Sequence, residues 1–168
     1  MSMGWQIVVR TPSWVWLLLA VLLAFGLLQS RTRVVRRATV PALPLVMGAL
    51  SLVAVWNAFG FSVAAYAAWI AAFLLVIGLN RNLAWPRDVA RDSPHGRVRV
   101  GGSWVPLALM PGLFSTRYAL AVAFALRPGL AGASGLAAGA SFVYGFVGGA
   151  FLARALRILQ APEPAQPR

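Results

Sequence analysis

Arg117 stands inside an apolar run over 104–126 and is the one charged side chain of the sequence placed where a bilayer would surround it. None of the three acids accompanies it, because Asp88, Asp92 and Glu163 all lie in polar connecting segments. A guanidinium in that position must therefore be satisfied by carbonyls, amides, hydroxyls, water, lipid phosphate or an anionic ligand. Counting inward from the outer surface, Arg117 is about nine residues deep, Ser141 about eleven, Tyr144 about fourteen and Asn57 about three. Ser141 is the best depth match. Ser141 and Tyr144 are spaced i, i+3 and share a helix face, so together they present two oxygens to the arginine. Tyr118 is the alternative partner, turned about 100° away on the same helix. Three readings stay open: a structural Arg117 that fixes helix registry, an Arg117 that binds an anionic headgroup, quinone oxygen or small anion, and an interface with another membrane protein.

Other chemistries are excluded by what is missing. There is no Cys, which removes thiolate nucleophiles, cysteine metal sites and thiol relays. All fifteen basic residues are Arg, so no Lys is present for Schiff-base or Ser-Lys catalysis. The single His95 falls in a polar loop, and one histidine builds neither a haem nor a metal site within the membrane. With no carboxylate in any apolar run, proton relay across the bilayer has no carrier. Gly132-Ala133-Ser134-Gly135 matches the tetrapeptide of intramembrane serine proteases, yet that nucleophile needs a histidine at membrane depth. A non-enzymatic protein without cofactor or metal is expected.

The elements that position these residues follow from hydropathy. The 168 residues are 60% hydrophobic and 11% charged, with mean hydropathy +0.77, which no ordinary water-soluble domain shows. Apolar runs predict spans at about 13–28, 40–59, 63–79, 104–126 and 130–152. They are unbroken and lack two-residue alternation, so they read as helices rather than barrel strands. Residues 1–160 then form a single polytopic membrane domain, followed by a disordered, Pro-rich tail over 161–168. No internal repeat is visible. The first span is expected to be a retained helix, since four arginines follow it and one precedes it. An Arg at the centre of the fourth span costs about 2.5 to 3.5 kcal/mol, which its Leu, Val and Phe residues offset by about 3 to 5.

Charge sets the orientation. Arg31, Arg33, Arg36 and Arg37 follow the first span; Arg81, Arg87, Arg91, Arg97 and Arg99 follow the third; Arg154, Arg157 and Arg168 follow the fifth. Those segments alternate onto one side, leaving only Arg10 and Arg127 opposite. The expectation is an all-α transmembrane five-helix bundle with its amino terminus outside and its carboxy terminus inside. Of the cytoplasmic arginines, Arg31, Arg33, Arg36, Arg37, Arg87, Arg91, Arg97 and Arg99 are expected to contact anionic lipid headgroups, each contributing about 1 kcal/mol, rather than nucleic acid. Within the loop before the fourth span, Arg97-Val98-Arg99-Val100 alternates with period two and faces 87–91 across a turn at Ser93-Pro94-His95-Gly96, predicting a small cytoplasmic β-hairpin.

Two further devices concern packing. Gly101-Gly102-Ser103-Trp104-Val105-Pro106 reads as a turn leading back into the membrane, with Ser103 as helix cap and Trp104 at the interface, and Pro111 is expected to delete one backbone bond of the fourth helix. In the fifth span, Gly135-x-x-x-Gly139 and Gly145-x-x-x-Gly149 allow close helix approach, marking a central helix or the seam of a homo-oligomer or membrane partner. The pairs are offset by about 120°, so they serve different neighbours.

At Gly102-Ser103-Trp104-Val105-Pro106-Leu107-Ala108-Leu109-Met110, Phe114 and Thr116-Arg117-Tyr118, together with Thr11-Pro12-Ser13-Trp14-Val15-Trp16, the chain resembles a family of small bacterial inner-membrane proteins of unknown function. The likeness covers most of the chain, and Gly-Ser-Trp-x-Pro-Leu at the start of the fourth span is its most specific element. The family pattern has Lys where Arg117 stands and often Pro at Gly101 or Gly102, and Arg and Lys bind anions differently. The resemblance implies five spans in a bacterial inner membrane and supplies no activity, substrate or cofactor.

Overall fold

The computed structural model describes residues 12–83, 86, 89–92 and 97–160. Arg10, Arg87, Asp88, the turn at Ser93-Pro94-His95-Gly96 and the tail over 161–168 lie outside the described residues. The described residues form five α-helices and a three-stranded sheet: α1 Ser13–Ser30, β1 Arg33–Arg36, α2 Ala42–Phe59, α3 Val63–Leu83, β2 Val89–Asp92, β3 Arg97–Val100, α4 Val105–Leu126 and α5 Ser134–Leu159. Single turns of 3-10 helix precede α2 and α5.

Helix ends fall where side chains or backbone geometry stop them. Pro12 precedes α1 and its carbonyl accepts the Val15 N–H at 3.0 Å. α2 ends at Gly60, whose φ of 56° lies in the left-handed region that a Cβ disfavours. The Ser62 hydroxyl then accepts the Ala65 N–H at 3.4 Å and opens α3. At the start of α4 the Ser103 hydroxyl accepts the Val105 N–H at 3.3 Å, while the cap position itself is Trp104, one residue later than the sequence predicts. α4 continues through Pro111, and one turn beyond it the Thr116 hydroxyl donates to the Gly112 carbonyl at 2.9 Å.

Four segments, Arg37–Phe59, α3, α4 and α5, are long and apolar enough to cross a membrane, while the apolar part of α1, Val15–Ser30, is shorter. Their outward faces carry Leu17, Leu45, Leu74 and many other exposed large hydrophobics, an arrangement that water penalises and hydrocarbon does not. The interior instead holds small residues. α5 is the centre: its 145–155 segment is almost continuously buried, with α3 and α2 against it, while α1 packs on α4. A Cβ at Gly145 would run into the Trp69 carbonyl, and one at Gly149 would come within 2.8 Å of the Phe73 carbonyl, so this glycine pair seats α3. Gly148 faces Ser51 of α2. Gly135 and Gly139 meet nothing within 4 Å and remain open. The two pairs do have different surroundings, and among the described residues only the second seats a neighbouring helix.

The expected hairpin is present in part of a larger sheet. β3 pairs antiparallel with β2 on one side and with β1 on the other, in the order β1-β3-β2. β1 was not anticipated, because Arg33-Val34-Val35-Arg36 is too short to reveal a partner more than sixty residues away. Val98 and Val100 turn inward onto Ile158 of α5, whereas Arg97 and Arg99 are exposed. α5 also runs on to Leu159, so Arg154 and Arg157 belong to this helix rather than to the tail.

Candidate functional site

At the end of the bundle away from the sheet, α5 carries Ser141 and Tyr144 on one face, 0% and 1% exposed. The Ser141 hydroxyl has no hydrogen-bond partner among the described residues. Tyr144 is enclosed by Val55, Ala65, Leu120, Ala137 and Ala140. Arg117 is exposed on α4. Tyr118 is half-buried and stacked on Phe114, with ring centroids 6.3 Å apart. Asn57 is exposed on α2. The structure thus puts Ser141 and Tyr144 together in the interior, and leaves Arg117 and Asn57 exposed on α4 and α2.

The sheet end holds a second constellation. Arg31, Arg36, Arg97 and Arg99 are exposed, and Arg37 donates to the Leu159 carbonyl at 3.0 Å, placing a cation at the negative end of α5. Arg91 lies in β2, opposite Val98. Arg33 pairs across the sheet with Val100 and so shares the face turned toward the helices. Arg33 is itself exposed, and partial burial of its guanidinium lowers it from the usual arginine range.

Arg33 faces a cavity of about 420 Å³ framed by α1, α2, α5 and the sheet. Its walls are mainly apolar, including Phe25, Leu43, Pro44 and Phe151, and its polar groups are Gln29, Arg33, Thr39 and Arg154. Arg154 is 5% exposed and donates from Nη1 to the Gln29 side-chain oxygen at 3.1 Å. Gln29, 3% exposed, is fixed in turn because its main-chain carbonyl accepts the Ser103 N–H at 3.2 Å. The charges of Arg33 and Arg154 act on each other. A smaller cleft, about 210 Å³, lies across α5 and is lined by Asn80, Arg81 and Arg157. Asn80 donates there to the Ala153 carbonyl at 3.3 Å.

Sequence reasoning missed Gln29 and Arg154. The signal was present: Val147, Phe151, Arg154 and Ile158 recur at 4, 3 and 4 residues and are all buried, so the inward stripe of α5 continues past the end of the predicted span. Counting Arg154 with the tail for orientation hid that period.

Long apolar helices around a small-residue core, closed at one end by an arginine-bearing sheet, define a helical bundle of the membrane-protein class. Within that class the chain belongs to DUF6622, a family of unknown function whose model matches residues 1–167. No curated protein and no solved structure matches it.

Proposed function

We propose that the protein is a non-enzymatic integral protein of a bacterial inner membrane, crossing five times with its amino terminus outside, and that its cytoplasmic end binds anionic lipid. One observation carries this reading: β1, β3 and the end of α5, which come from all three arginine-rich segments, meet in a single apolar cluster of Val35, Val98, Val100 and Ile158. Cytoplasmic retention of arginine then orients the whole bundle. A fifth crossing by α1 is supported by its antiparallel run along α4, where Gly26 approaches Leu107 and the end of α1 meets Gly102. At 1.5 Å per residue its 18 residues span about 27 Å, near the thickness of the hydrocarbon core. Because the chain lacks Cys, each introduced thiol is unique. In intact cells a membrane-impermeant maleimide should label Gly129→Cys and spare Thr39→Cys; the reverse pattern overturns the orientation.

A second reading, a small permease or transport subunit for an anionic or amphiphilic molecule at Arg117, is supported by the buried, unpartnered Ser141 hydroxyl beside Tyr144. Association through Gly135 and Gly139, which stay open, is compatible with either reading.

A further inference from the structure

The cavity between α1 and α2 is polar at one end and apolar along the rest. Phe25 and Val46 flank it and are both more than half exposed, so its mouth opens sideways, toward the lipid that surrounds these helices. Deeper in, Leu43 and Phe151 supply apolar wall. The polar end gathers two guanidiniums, and the stretches of chain that frame it, 25–46, 98–100 and 151–158, contain no Asp or Glu. Arginine forks match phosphate oxygens geometrically, and Gln29 already orients the Arg154 fork. Depth agrees with this. Arg154 is five residues from the end of α5, about 7.5 Å along a helix of about 39 Å, which puts it near the boundary of a hydrocarbon core of about 30 Å. A free anion would meet the arginines but leave the apolar wall unused, whereas an amphiphile engages both.

We propose that this wedge is a discrete site for one anionic phospholipid of the cytoplasmic leaflet, its phosphate between Arg33 and Arg154 and an acyl chain along Phe25, Leu43 and Phe151. The proposal rests on the reading that the sheet end is cytoplasmic and binds anionic lipid, and it adds a single site to what would otherwise be diffuse attraction.

Native mass spectrometry of the full-length protein in a non-ionic detergent, supplied with equal phosphatidylglycerol and phosphatidylcholine, tests it. The wild type should retain one phosphatidylglycerol in preference to phosphatidylcholine. Arg33→Gln, which removes one phosphate partner, and Ala42→Trp, which fills the cavity from an exposed lining position, should each lower that retention about tenfold. Arg36→Gln, at an arginine of the same strand that is exposed like Arg33 but lies outside the lining, removes only diffuse headgroup attraction and should lower retention by less than about twofold. Equal losses in Arg33→Gln and Arg36→Gln would overturn the site while leaving general lipid contact standing. Absence of any preference for phosphatidylglycerol would overturn both. Displacement of the lipid by millimolar sodium phosphate, with Ala42→Trp behaving as wild type, would make this a small-anion site and overturn the lipid assignment.

Discussion

At the scale of single residues, the glycines of α5 divide into those that seat a neighbour and those that do not. Gly145→Ala drives a methyl into the Trp69 carbonyl, a backbone atom that cannot rotate away. We expect a loss of about 1 to 3 kcal/mol in detergent unfolding. Gly135→Ala meets open space and should be neutral or stabilising by up to about 1 kcal/mol through helix propensity. Equal effects would mean that the α3–α5 contact is misplaced. Gln29→Ala removes one acceptor of a buried guanidinium and should cost about 1 to 3 kcal/mol in the same assay. Arg117 behaves differently. It is exposed on α4 and joins none of the apolar clusters among the described residues, so Arg117→Leu should hold or raise the folded yield by removing an insertion cost of about 2.5 to 3.5 kcal/mol. Such a result gives Arg117 a role other than packing, whereas a collapse in yield would assign it to registry. The sequence singled out Arg117 because a charge among apolar neighbours is visible locally. Arg154 carries the same charge but sits where apolar and polar chain meet, and its burial depends on α1 and β1, which no local pattern reports.

At the scale of elements, the helices were legible because each apolar run exceeds what a soluble core requires and is bounded by Gly, Pro or Arg. The pairing of β1 with β3 was not, since four residues of two-sided polarity carry no register signal. The same limit concealed the three-stranded sheet behind an expected hairpin. Packing of α1 is the element most open to disruption. Gly26 approaches the Leu107 backbone so closely that an added Cβ would lie 2.8 Å from its Cα. Gly26→Val should therefore separate α1 from α4, seen as faster proteolysis after Ser30 in detergent, while Gly78→Val, at an open position of α3, should not change cleavage.

At the scale of the whole molecule, charge and hydropathy act together. Apolar faces exposed all round suit the bundle to lipid, and the gathering of arginine-rich segments at the sheet end is what supports the proposed orientation. The sheet ties the arginine-bearing segments into one structure, so orientation is a property of the assembled bundle rather than of separate loops. The number of crossings fixes where the amino terminus lies relative to this sheet, and an odd count puts the two on opposite sides. The deciding measurement is therefore maleimide accessibility of Ser2→Cys and Gln160→Cys, each introduced alone, in intact cells and after permeabilisation. Five crossings require Ser2→Cys to react in intact cells and Gln160→Cys only after permeabilisation; both thiols reacting on the same side would contradict the account.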